Sequence, residues 1–132
     1  MAGIQLNMVA LLVRDMAASL AFYRRLGLEI PEDADVKPSV LHRMDSGVTL
    51  VWDTVVVNSH DPGRTAPKNG YQIVLEFFLG SEAAVDQMYA ELTAAGYHGR
   101  SAGQKKDRGP YAALVDDPDG NVVLLTSEPQ VD

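Results

Sequence analysis

The side chains able to do chemistry are few. The chain has no cysteine, which removes disulfides, thiolate metal sites and cysteine nucleophiles. Any reaction must draw on histidine, carboxylates, hydroxyls or a bound cofactor. Three histidines are present. His42 lies in the alternating segment "SVLHRM" with Met44 at the same parity, and both a half-buried structural imidazole and a general base suit that place. His60 sits in a Pro/Gly-rich stretch and His98 follows a helix end, where exposure is the default. Gln72, Glu76 and Asp53 supply the remaining donors on strand-like segments. If the alternation holds, Glu76 and Asp53 project to the same face as His42, and their types would suit a metal. A Ser/His/Asp triad requires a geometry that sequence does not show, and no nucleophile-elbow pattern is expected, so a hydrolase is disfavoured.

These residues must be positioned by a small chain. At 132 residues it fits one domain with a real core, but not two full-sized cores. No apolar run approaches the roughly 18 residues that span a bilayer, and "MAGIQLNMVALLVRDM" lacks a basic n-region followed by a small-residue cleavage site. A soluble, cytoplasmic protein is the expectation. The net charge of −7, with no basic cluster beyond "KKDR", opposes a nucleic-acid partner, which needs a basic face. The same acidity provides solubility and would attract a cationic small molecule.

Segment 4–13, "IQLNMVALLV", begins in alternation and ends in an apolar run, as expected of a strand covered on both faces. Asp15 then caps a helix whose Leu20, Tyr23 and Leu26 recur at helical spacing before Gly27 stops it. "LEI" reads as a short strand. "SVLHRM", the turn "DSG" and "VTLVWDTVVV" read as a hairpin. Residues 58–70, rich in Pro, Gly, Asn, Asp and Ser, mark a connecting loop. The pattern then restarts. "YQIVLEFFL" is a strand, and Ser81 caps a helix carrying Val85, Met88, Tyr89, Leu92 and Ala95 on one face up to Gly96. "GRSAGQKKDRG" reads as a polar loop that could mask a short strand, and "PYAALV" and "NVVLLTS" form a second hairpin about "DDPDG". The halves repeat, as "DSGVTLVWDT" against "PDGNVVLLTS" shows. This predicts an α+β fold of two βαβββ modules, about 4–57 and 71–128. They would form a curved, cup-shaped mixed sheet with the helices outside.

That duplication, with "VRDMAASLAFYRRLGLEI" near the start and "DPDGNVVLL" near the end, resembles the vicinal oxygen chelate superfamily, which includes glyoxalase I, extradiol dioxygenases and bleomycin resistance proteins. The likeness runs from about Gln5 to Ser127. "LVWDT", "YAEL", "AGY" and "DDPDGNVV" are similar to segments of mitomycin and bleomycin resistance proteins, which bind a drug without transforming it. Metal-dependent members hold a divalent cation with His, Glu or Gln from four inner strand positions. By that resemblance the positions fall here on Met8, Val51 (or Leu50 if the register slips by one), Gln72 and Leu124. A thioether is a poor ligand for a hard ion. Only Gln72 carries a donor.

The resemblance therefore implies a cup lined by apolar side chains, with no catalytic residue, no metal and no cofactor. Met8, Val51, Gln72, Glu76, Leu114 and Leu124 are expected on the inner face, with His42 and Met44 beside them. Apolar area for affinity and sparse polar groups for orientation are what a small-molecule site needs. Trp52 could stack on a flat ring or pack in the core. Phe78 is placed at the rim and Arg108 on the loop at the mouth, while Tyr111 alternates to the helix side, a core position, yet follows that loop. The function implied is non-catalytic sequestration of a hydrophobic, aromatic antibiotic by a homodimer, with the 58–70 loop long enough for module exchange. The alternatives are a glyoxalase- or dioxygenase-type enzyme with an altered metal site built from Gln72, Glu76 and His42, and a sensor domain for a metabolite.

Overall fold

The computed structural model describes residues 3, 6–55, 59–63, 73–106 and 110–128. The chain forms two compact units, Met1–Pro67 and Lys68–Asp132. The fold is α+β, with a mixed sheet of three strands in the first unit and one of four in the second.

The first unit starts with strand β1 (Met8–Leu12). Asp15 accepts a hydrogen bond from the Ala18 N–H at 3.1 Å and so caps helix α1 (Met16–Leu26); it supplies an acceptor to one of the donors a helix leaves unpaired at its start. Gly27, at φ 121°, ends the helix in a conformation that side chains with a Cβ resist. Strands β2 (Ser39–Arg43) and β3 (Thr49–Asp53) follow. The order is β1-β3-β2, with β3 parallel to β1 and antiparallel to β2.

The short strand expected at "LEI" is absent, and a 3-10 helix (Glu32–Val36) follows instead. Pro31 has no N–H to offer a ladder. The Arg24 guanidinium already takes the Ile30 and Pro31 carbonyls, at 2.8 and 2.6 Å, and also reaches Asp35 at 2.8 Å. A segment whose carbonyls are committed to a side chain has little left for strand pairing.

The second unit runs β4 (Val74–Phe78), α2 (Glu82–Ala94), β5 (Gly99–Gln104), β6 (Ala112–Asp116) and β7 (Val122–Thr126). Its order is β4-β7-β6-β5, with β4 parallel to β7 and the other neighbours antiparallel. Ser81 caps α2 through the Ala84 N–H. Val85 and Leu92 of α2 are buried, Met88 and Tyr89 half-buried, and Ala95 is exposed at the C-cap. Segment 99–104, expected as a polar loop that could mask a short strand, is strand β5 with two register shifts against β6. Its Gly99 and Gly103 leave the room that α2 occupies, since a Cβ at either would strike Tyr89 and Thr93 or Asp86 and Tyr111.

Each unit has its own core. In the first, Leu20, Phe22 and Tyr23 of α1 and Trp52 of β3 are fully buried, and the Tyr23 and Trp52 rings meet edge-on at 5.3 Å. In the second, Val85 and Leu92 are buried with Ala113, Val115, Val123 and Leu125. Among the described residues, no helix is long and apolar enough to cross a membrane.

Candidate functional site

Strand pairing decides which side chains share a face, because directly paired residues point the same way and neighbours along a strand point oppositely. In the first unit, Leu11, Leu50, Trp52 and Val40 lie on the side that α1 covers. The opposite face carries three cross-strand rows: Met8–Thr49–Arg43, Ala10–Val51–Leu41 and Leu12–Asp53–Ser39. Met8 and Leu41 are 46% and 68% exposed there. Met8 and Val51 thus share one face of this sheet, and Leu41 joins them.

His42 does not. It pairs with Leu50 and so lies on the Trp52 side of the sheet, opposite Val51. Both Val40 and Leu41 are apolar, so composition alone leaves the parity of this strand open; the Met44–Val48 turn fixes it through the bonds Met44 N–H to Val48 O (2.9 Å) and Gly47 N–H to Met44 O (2.9 Å). Met44 is half-buried within that turn. Trp52 is fully buried, with no hydrogen-bond partner for its indole N–H. Its face is the core, so it is not presented for stacking on a ligand. Asp53 has the parity of Val51 but is buried, accepting from the Ser39 hydroxyl at 2.8 Å and the Val55 N–H at 3.1 Å. It closes the end of the sheet rather than standing free on it.

In the second unit Tyr111 identifies the helix side, since its hydroxyl donates to Asp86 Oδ1 of α2 at 2.6 Å. Ala113 and Val115 follow at the same parity. The other face holds the row Glu76–Leu124–Leu114–Ser101, flanked by Val74–Val122–Asp116 and Phe78–Thr126–Ala112–Gln104. Val74 and Phe78 are 43% and 55% exposed, and Glu76 is exposed between them. Leu124 and Leu114 are half-buried. Four expected site residues, Glu76, Phe78, Leu114 and Leu124, therefore stand together. Gln72 and Arg108 lie outside the described residues.

The polar groups around this face are largely committed. Arg100 and Asp116 form an ion pair. Asp117 is buried at the β6–β7 turn, where it accepts from the Asp119 and Asn121 N–H groups and from Asn121 Nδ2, all at 2.9 Å. The Tyr111 phenol is raised above its ordinary pKa, first by its hydrogen bond to Asp86, then by desolvation and by the negative charges of Asp86 and Glu82. A phenol held neutral in this way serves as a donor, not as a base at neutral pH.

One string escaped the sequence reading. Gly99-Arg100-Ser101-Ala102-Gly103 has the spacing of a nucleophile elbow, a motif that needs a sharp strand-to-helix turn to expose its serine. Here it lies inside β5, and the Ser101 hydroxyl accepts from Gln104 Nε2 at 2.6 Å. The context for the motif is missing.

The metal expected in catalytic relatives is not supported by the described residues. Met8, Val51 and Leu124 bring no oxygen or imidazole donor, and no three His, Asp or Glu side chains among the described residues gather to hold an ion. Hard cations require such donors. What the second unit does present is apolar area around one carboxylate.

Residues 5–125 match the family model of the Glyoxalase/Bleomycin resistance protein/Dioxygenase superfamily. No curated protein is significantly similar in sequence. Among solved structures, a hypothetical protein from S. aureus is 19% identical with a TM-score of 0.76, covering 95% of this chain and 94% of its own. A glyoxalase/bleomycin resistance protein/dioxygenase family enzyme from Burkholderia phytofirmans PsJN is 21% identical with a TM-score of 0.74, covering 92% and 97%. The oxidase ChaP-H2 is 23% identical with a TM-score of 0.64, covering 97% and 96%. At these identities the likeness is one of fold.

Proposed function

This chain belongs to the Glyoxalase/Bleomycin resistance protein/Dioxygenase superfamily, and from that membership we propose that it binds a hydrophobic, aromatic antibiotic and sequesters it unchanged, acting as a homodimer. The observation that carries the proposal is the row Leu114–Leu124–Glu76 with Val74 and Phe78 beside it. A leucine stands at the centre, where the resemblance puts a metal ligand in enzymes. Such a face gains affinity from buried apolar area and orientation from few polar groups, and its described residues offer neither a paired acid and base nor a set of donors that could hold a metal.

The altered-metal enzyme is the weaker reading, because His42, one of its three donors, sits on the α1 side of its sheet, opposite Val51.

The deciding experiment expresses the protein in a drug-sensitive bacterium and challenges it with a panel of polycyclic antibiotics. Sequestration predicts survival at raised drug concentration, with the drug recovered chemically intact from the protein. Recovery of a modified drug, or about one transition metal per chain in protein purified without chelator, would overturn it.

A further inference from the structure

Glu76 is the one charged side chain projecting from β4, at the middle of an apolar patch. Val74 and Phe78 precede and follow it on the same face, each about 6.6 Å away along the strand, and Leu124 lies directly across. It is exposed, and no salt bridge or hydrogen bond engages it among the described residues. An unengaged carboxylate amid apolar side chains penalises any ligand that covers it without offering a counter-charge, because its hydration is lost with nothing in return. A ligand carrying a protonated amine reverses that sign. The Phe78 ring adds a surface that attracts cations, and the net charge of −7 favours their approach.

We infer that Glu76 selects ligand charge: this face takes a flat apolar molecule bearing a protonated amine, whose cation sits against the Glu76 carboxylate while its body covers Val74, Phe78 and Leu124. The inference rests on the binding reading above and narrows it to cationic ligands.

Three fluorescent probes with one tricyclic frame test it: proflavine, a cation at neutral pH; acridone, uncharged; and acridine-9-carboxylate, an anion. Anisotropy titrations at low salt are expected to give proflavine at least tenfold tighter binding than the anion, a preference that shrinks as salt rises. E76Q should weaken proflavine about fivefold and leave acridone within twofold. E29Q, which removes a charge from an exposed position in the other unit, should change neither. Equal effects of E76Q and E29Q would assign the preference to the diffuse field of the protein and overturn the inference.

Glu76 also lies on an edge strand of its sheet, where a charge can serve to block pairing with another chain. Self-association of E76Q with proflavine affinity unchanged would identify that role instead and refute charge selection. If all three probes bind alike, charge selection falls and sequestration stands. If none binds, both fall.

Discussion

The Tyr111 hydroxyl donates to Asp86 Oδ1 at 2.6 Å, joining the start of β6 to the first turns of α2. Because the neutral phenol is the donor, its pKa is raised. The bond therefore contributes fully below the ordinary tyrosine range near 10 and is lost as pH rises through the higher folded value. Absorbance titration at 295 nm, read as the difference between wild type and Y111F, should show Tyr111 ionising above that range. D86N should bring it back down by removing the adjacent negative charge. A Tyr111 that ionises at its ordinary pKa in wild type would count against the bond.

Trp52 is fully buried, edge-on to Tyr23, and its indole N–H has no partner. Its emission should be blue-shifted and resistant to iodide, and probes bound to the opposite face should not quench it by contact. W52A should cost about 3–5 kcal/mol, as for other large-to-small changes in a core. W52F should cost less than about 1.5 kcal/mol, since it keeps an aromatic ring against Tyr23 and removes the unpartnered donor. Urea denaturation separates the two. Easy iodide quenching would show that the indole is not in the core.

A Cβ at Gly103 would lie 2.8 Å from Cε2 and the hydroxyl of Tyr111 and would also strike the Asp86 carboxylate. G103A should therefore destabilise by about 1–3 kcal/mol through overpacking. It should also lower the Tyr111 pKa by forcing the pair apart. A wild-type melting temperature together with an unchanged Tyr111 titration would mean that α2 does not lie where it is described.

Asp117, 4% exposed, accepts three hydrogen bonds that hold the turn between β6 and β7. D117A leaves those donors to find other partners in a buried turn and should cost about 1–3 kcal/mol. D117N keeps one acceptor oxygen and should cost less. Amide exchange at Asp119 and Asn121 checks the mechanism, since both N–H groups should lose protection in D117A.

The parts of this fold that can be read from sequence are those where local and long-range preferences agree. Asp15 and Gly27 bracket α1 because cap chemistry is local. Val122 to Thr126 read as a strand because an uninterrupted apolar run after a turn leaves few other options. Leu28 to Ile30 also read as a strand but form none, because the Arg24 side chain, six and seven residues back, captures the carbonyls of Ile30 and Pro31. β5 was hidden for the opposite reason: Gly99, Ser101 and Gly103 are poor strand formers, and their fitness lies in the space they leave for α2. At the candidate site, Glu76, Leu114 and Leu124 are expected on one face from the family resemblance together with alternation along each strand, and strand pairing sets them in one row. His42 was turned the wrong way, since one residue of register reverses a face and only the pairing of β2 with β3 fixes it.

In both units the opening strand lies parallel beside the strand that ends the sheet segment, Met8 against Thr49 and Val74 against Val122. These partners are about forty to fifty residues apart in the chain, and closing so large a loop is an entropic cost met before the ladder returns anything. Hairpins and helices can form early during synthesis, whereas β1 and β4 must wait for their mates to emerge. Until then two apolar ribbons stand unpaired, and a nascent chain is at its most vulnerable to misassociation in that interval.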